Sequence, residues 1–253
     1  YKRQEGCLVT KLEINHLYKA FSTVKSGVNL VLNDIDFQTS EGEFICIVGP
    51  SGCGKSTLLR LISGLTPVSY GEIKLNGEKI EGTSPNRGMV FQNATLFPWL
   101  TVEDNIKFSS KLQNRNNQEV VNRLINLVGL SGYEGYYPRQ LSGGMAQRVS
   151  LARTMINQPE VFLLDEPLGA LDAFTRASLQ DELIELWQSI NNLMVMVTHD
   201  VEEAVYMATK VIIMKAHPGS IYKIVPIDLD YPRTRTSQKF TEYRKIIMEN
   251  LNF

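Results

Sequence analysis

The run from Gly49 to Thr57, Gly-Pro-Ser-Gly-Cys-Gly-Lys-Ser-Thr, is a complete G-x-x-x-x-G-K-S loop and constrains the fold more than any other part of the chain. It follows a strand-like run, Phe44-Ile45-Cys46-Ile47-Val48, and leads into a helix start, Leu58-Leu59-Arg60-Leu61-Ile62. A strand, a glycine loop and a helix N-terminus in that order make an anion site, because backbone N–H groups and the helix dipole both face the same point. Gly49, Gly52 and Gly54 let the backbone approach a phosphate that a side chain would hold off. Lys55 is placed to reach β- and γ-phosphates, and the Ser56 hydroxyl to sit on Mg²⁺. The spacing predicts a nucleotide site. Cys53 lies inside this loop and reads as a small loop residue rather than a reactive thiol.

Length and composition set the frame around that loop. The 253 residues suffice for one large α/β domain with an inserted subdomain. A net charge of −1 provides no global field for nucleic acid or anionic lipid. No apolar run approaches the ~18 residues of a membrane span, and the N-terminus lacks a signal-peptide pattern. Cys7, Cys46 and Cys53 form neither a disulfide framework nor a metal-spaced pair, as suits a reducing compartment.

Along the chain, Leu8 to Asn15 and Leu30 to Phe37 alternate as strands, and Gly71 to Gly77 is a strand ending in an Asn-Gly turn. Gly88 to Gln92 reads as a buried strand ending on a glutamine. From 93 to 159 the texture becomes helical, notably over Val102 to Lys111 and Gln118 to Val128, with polar breaks at Gln113 to Asn117 and Gly132 to Pro138. Strand runs return at Val161 to Leu164, Met194 to Thr198 and Val211 to Met214, with a long helix over Ala173 to Ile190 and a terminal one over Phe240 to Leu251. Apolar strands alternating with helices predict an α/β fold with a mainly parallel two-sided sheet, an antiparallel β subdomain and an inserted α-helical subdomain. The expected organisation is a core over 8–92 and 160–221, a helical subdomain over 93–159 and a short tail over 222–253.

Two further clusters belong with the loop. Val161-Phe162-Leu163-Leu164 is followed by Asp165-Glu166-Pro167, and a buried parallel strand delivers functional residues at its C-terminal end. Asp165 is expected to hold Mg²⁺ and Glu166 to polarise the attacking water. Leu141-Ser142-Gly143-Gly144-Met145-Ala146-Gln147-Arg148 precedes a helical run, a second anion-binding helix start. With these residues the chain resembles the nucleotide-binding cassette of ATP-binding cassette (ABC) transporters, a P-loop NTPase, from about Leu8 to Ile221. Gly49 to Thr57 is similar to Walker A, Gln92 to the Q-loop, and Leu141 to Gln147 to the signature. Val161 to Glu166 is similar to Walker B, Leu171-Asp172 to the D-loop, and His199 to the switch histidine.

The resemblance implies an ATPase that dimerises with a second copy or a homologous cassette around two MgATP. In each site ATP meets Phe21, Gly49, Pro50, Ser51, Gly52, Cys53, Gly54, Lys55, Ser56 and Thr57, and across the dimer Ser142, Gly143 and Gly144, with Gln147 and Asp172 also among the nucleotide-binding residues. Glu166, His199, Lys55 and Gln92 carry catalysis, and Ser56, Gln92 and Asp165 the metal. Phe21 is the expected adenine platform, with Tyr18 as rival and a core aromatic as the plain alternative. Gly169 departs from the serine common in this family. His16 and His217 read as surface residues.

Lacking a span, such a subunit implies two separate transmembrane permease subunits, with a solute-binding protein in the full system and a place on the cytoplasmic face of the inner membrane. Leu96, Phe97 and Trp99 lie where importers resemble a groove for a coupling helix, or simply pack the subdomain. Phe97 to Asn105 and the tail Ala216 to Ile221 with Tyr231 to Arg235 resemble the nitrate, sulfonate and taurine importer group, although His217 replaces a common arginine. A small anion such as nitrate, sulfonate, taurine or bicarbonate is the expected solute. Arg233 and Arg235 read as exposed charges on a solvated tail, with regulation or partner contact as the other account. The alternative is a soluble ABC clamp acting on nucleic acid or in translation, and a third reading, binding without turnover, conflicts with the presence of Glu166 and His199.

Overall fold

A computed structural model describes residues 11–23, 27–112, 118–169 and 171–251. Cys7, the segment 1–10 and the polar break at 113–117 lie outside the described residues. In chain order the elements are β1 (Leu12–Thr23), β2 (Gly27–Gln38), β3 (Phe44–Val48), α1 (Lys55–Ser63), β4 (Tyr70–Leu75), β5 (Glu78–Lys79), β6 (Arg87–Val90), α2 (Val102–Leu112) and α3 (Gln118–Leu127). They continue with α4 (Gly143–Met155), β7 (Val161–Asp165), α5 (Ala173–Ile190), β8 (Leu193–Val197), α6 (Val201–Met207), β9 (Lys210–Lys215), β10 (Ser220–Pro226) and α7 (Gln238–Glu249). Two compact units result, one of residues 1–83 and 187–253, the other of residues 84–186.

In the first unit, β3 pairs in parallel with β8 and with β9, and β10 closes the edge antiparallel to β9. All five residues of β3 and all five of β8 are buried. That is the reason these strands read as unbroken apolar runs: a parallel strand covered on both faces has no solvent side to alternate towards. The antiparallel subdomain orders β2-β1-β4-β5. Its β4–β5 hairpin turns through Asn76 (φ 54°) and Gly77 (φ 81°), the left-handed pair that a two-residue turn matched to strand twist requires. β1 and β2 run longer than their alternation suggests. Register shifts lie between Ile14 and Ala20, and His16 (φ 44°) and Asp34 (φ 50°) bend the ribbon, which breaks the two-residue period. His16 and His217 are exposed.

In the second unit β6 and β7 are parallel, with Val90 opposite Leu164, and α2, α3 and α4 pack beside them. One wholly buried polar side chain, Asn105, shapes the loop before α2. Its Nδ2 donates to the carbonyls of Phe97 (3.2 Å), Leu100 (3.0 Å) and Thr101 (3.0 Å), while its Oδ1 accepts from Phe97 N (2.9 Å). Thr101 then caps α2 by accepting from Asp104 N, and its hydroxyl donates to the Asp104 carboxylate. Among the described residues no helix is long and apolar enough to cross a membrane.

Candidate functional site

The phosphate loop leaves β3 at Gly49 and enters α1 at Lys55. Gly52 (φ 79°) and Gly54 (φ 94°) take the left-handed conformation, and Gly54 forms the N-cap with no side chain across the helix start. The loop is held closely from outside. A Cβ on Gly49 would lie 2.6 Å from Met214 O, and one on Gly54 would lie 2.5 Å from Leu32 Cδ2. At Gly52 a Cβ would meet nothing within 4 Å, so the loop is open there. Lys55 is buried and curls its ammonium into the loop, donating to Gly49 O (2.8 Å) and Pro50 O (3.1 Å). Cys53 is buried, and burial pushes its thiol up despite the opposing Lys55 charge, so it fits the loop as a small residue rather than a nucleophile.

His199 stands beside this loop in the sheet order. Ile47 of β3 is in register with Val197 of β8, so Gly49 and His199 leave the C-terminal ends of neighbouring parallel strands. Thr198 N donates to Ile47 O at 3.2 Å and fixes the strand end. Asp200 caps α6, accepting from Glu202 N (2.8 Å) and Glu203 N (3.2 Å). His199, exposed, lies between these two anchored residues. In β1, Phe21 exposes 41% of its surface and has the Lys19 ammonium 4.7 Å from its ring centroid. Tyr18 is engaged edge-on with Tyr70.

The second unit gathers the remaining motif residues. Val90 and Leu164 are neighbours in register, so Gln92 and Asp165-Glu166 emerge from the same end of β6 and β7. Gln92 Nε2 donates to Glu166 Oε2 at 3.2 Å. Glu166 itself sits at φ 45°, a left-handed conformation that is strained for a residue with a side chain. A Cβ on Gly169 would lie 3.6 Å from Glu166 O and 3.8 Å from both Gln92 Nε2 and Glu166 Oε2. Those are ordinary contacts, so the serine usual in the family has room for its Cβ.

Ser142 caps α4, its Oγ accepting from Met145 N at 3.2 Å, and Ser142 and Gly143 are exposed. Gly144 is buried, with 2.5 Å between an added Cβ and Thr175 Cγ2. Gln147 is 3% exposed and its amide donates to Phe91 O (3.1 Å), so it ties the signature helix to the residue before Gln92. Asp172 caps α5: it accepts from Phe174 N, Thr175 N and the Thr175 hydroxyl, and the hydroxyl above all holds its carboxyl below the ordinary range.

A groove of about 410 Å³ lies in the same unit, lined by Arg87, Met89, Phe97, Phe108, Ser109 and Arg153 among others. Phe97 packs against Phe108 with the rings tilted (4.4 Å between centroids), Arg153 donates to Thr95 O (2.7 Å), and Trp99 remains 69% exposed. The Phe97 segment therefore both packs inward and presents a surface.

The oxygen donors named for a metal, Ser56, Gln92 and Asp165, suit a hard cation. Among the described residues no group of three His, Cys, Asp or Glu could hold a metal by itself.

Several supporting residues left little trace in the sequence. Gly219 backs the phosphate loop, since a Cβ there would lie 2.0 Å from Cys53 O. Its only signal was a glycine in a short connection between strands. Arg233, expected on a solvated tail, is 7% exposed instead. It donates to Val205 O (2.7 Å) and Ala208 O (2.6 Å), because those last carbonyls of α6 have no partner further along the helix.

A strand–loop–helix phosphate cradle, a carboxylate pair at a parallel strand end and a serine-capped glycine helix start define a P-loop ATP-binding cassette. The sequence pattern of the family described as ABC transporter matches residues 32–169, and the chain belongs to that family. It is similar to the aliphatic sulfonates import ATP-binding protein SsuB of Bacillus cereus, 44% identical over 96% of each chain. It is also similar to the protein of that name from Bacillus subtilis (strain 168), 47% identical over 87% of this chain and 86% of the relative. Among solved structures, the dimeric post-hydrolysis ATP-binding cassette MJ0796 bound to ADP and Pi is 27% identical, with a TM-score of 0.77 over 87% of this chain and all of that one.

Proposed function

We propose that this chain is the ATP-hydrolysing motor of an importer for small sulfonate-type anions. The observation that carries the reading is the 44% identity to a sulfonate-import subunit across 96% of both chains, with every nucleotide motif in family order. The same likeness favours the transporter over a soluble clamp. In this reading Lys55 and the Gly49–Thr57 backbone hold the phosphates, and Phe21 carries adenine. Ser56, Gln92 and Asp165 provide oxygen donors for Mg²⁺, which would neutralise phosphate charge. Glu166 polarises the attacking water, and His199 orients it against the γ-phosphate. Ser142, Gly143 and Gly144 face the nucleotide of a second copy, with Gln147 and Asp172 holding that surface in shape.

Two permease subunits dock at the Phe97 groove on the cytoplasmic side of the membrane, and a solute-binding protein delivers the anion. The test is reconstitution of the chain with its neighbouring membrane and binding-protein genes in vesicles. ATP-dependent uptake of an alkanesulfonate or taurine, lost in Glu166→Gln, is the expected result. Uptake of nitrate or bicarbonate instead would reassign the solute. ATP turnover with no membrane subunit in the purified complex would overturn the transporter reading.

A further inference from the structure

The tail beyond β10 makes a set of contacts on one helix that the nucleotide chemistry described above does not use. Helix α6 has only seven residues and ends at Ala208 in an extended conformation, without a glycine cap. A helix this short is marginal alone and leaves its last four carbonyls without intrahelical donors. Here the carbonyls of residues 205 to 208 are all met by two tail side chains. Arg233 Nη1 donates to Val205 O (2.7 Å), Tyr206 O (3.4 Å) and Ala208 O (2.6 Å), and the Tyr231 hydroxyl donates to Met207 O (2.7 Å). The guanidinium also places a full positive charge at the negative end of the helix dipole.

The clasp extends both ways. Arg233 Nε donates to Leu229 O (3.1 Å), and its guanidinium stacks on the Tyr231 ring at 4.1 Å. Arg235 lies 3.6 Å from the Tyr206 ring centroid and 3.5 Å from the Glu202 carboxylate in the first turn of α6. Tyr231 rests on Trp187, which rests on Phe44 at the start of β3, the strand that enters the phosphate loop.

We propose that Tyr231, Arg233 and Arg235 form a strap that positions His199 through α6. His199 lies between Thr198, tied to Ile47 of β3, and Asp200, the cap of α6. The first is fixed by the sheet. The second is only as fixed as α6, and the strap holds α6 from its first turn to its last carbonyl. Release of the strap lets the helix shift and carries the imidazole out of line. Arg233 is thus a positioning residue, and the proposal rests on the reading of His199 as the γ-phosphate switch.

The test uses the full chain with Arg233→Lys, Tyr231→Phe and His199→Ala, alone and combined, folding being checked by thermal unfolding. A sub-ångström to ångström misplacement of a reacting group costs about tenfold to a hundredfold in rate. Arg233→Lys is therefore expected to lower kcat about tenfold with KM for ATP within about twofold, and Tyr231→Phe to lower it less. In the His199→Ala background Arg233→Lys is expected to lower the residual rate no further. An equal loss in that background, or an unchanged kcat in Arg233→Lys, would overturn the strap. If His199→Ala alone leaves kcat intact, the switch reading falls, and NMR of the His199 imidazole decides the strap. Ring signals moved or broadened by Arg233→Lys support it, and unmoved signals sink it.

Discussion

Gln92 donates its side-chain amide to the Glu166 carboxylate at 3.2 Å, so two motif residues 74 positions apart in sequence meet at the ends of neighbouring strands. A donated hydrogen bond orients the carboxylate without taking its charge. The pairing also fixes a side chain whose own backbone is strained at φ 45°.

With Glu166 as the proposed general base, Glu166→Gln is expected to lower ATP hydrolysis by about 10²-fold or more while ATP still binds. Phosphate release and nucleotide-binding titration separate the two effects. Glu166→Asn is expected to abolish turnover without lowering the unfolding midpoint, since asparagine tolerates a left-handed backbone better than glutamate.

Gly219→Ala is expected to weaken ATP binding about tenfold although it lies far along the chain from the loop. Its Cβ would sit 2.0 Å from Cys53 O and must displace that carbonyl, and overpacking of this kind costs about 1–3 kcal/mol. Gly135→Ala, where a Cβ meets nothing within 4 Å, is the control and should bind ATP normally. Equal affinities in the two variants would remove Gly219 from the site.

Asn105→Ala is expected to destabilise the second unit by about 2–4 kcal/mol, because it leaves the Phe97, Leu100 and Thr101 backbone groups without their shared partner. Amide exchange over residues 97 to 101 should speed up first. Normal exchange there would show that the loop holds its shape unaided.

Tyr231 gives an alkaline limit. Burial, its largest influence, pushes the phenol up to about 12 from 10, against the opposing pull of Arg233. A raised folded pKa means the folded form keeps its proton longer than the unfolded chain does. The stabilisation is complete below pH 10 and is lost as pH rises through about 12. Unfolding monitored between those values should be steeper in the wild type than in Tyr231→Phe. Identical pH profiles would place the phenol in solvent.

Much of this was legible from residues alone, for physical reasons. β3, β7 and β8 are buried on both faces and write themselves as apolar runs, and Asn76-Gly77 can only be a left-handed turn. α5 spans Ala173–Ile190, the bounds its sequence pattern suggests. What stayed hidden is set by distant partners. β10 carries exposed Tyr222, Lys223 and Ile224 on a sheet edge and has no clear period. Arg233 is an ordinary tail arginine until the end of α6 is placed against it, and Gln147 is a signature residue until Phe91 O is found at its amide.

β3 takes both its sheet neighbours, β8 and β9, from late in the chain, and Phe44 N reaches the Thr209 hydroxyl across 165 residues. During synthesis the phosphate loop therefore leaves the ribosome long before the strands that flank its own strand exist. A strand without neighbours has no ladder to satisfy its backbone, and contacts this distant in sequence close slowly. The outer support of the loop, Met214 O against Gly49 and Gly219 against Cys53 O, is complete only once those late residues have been translated.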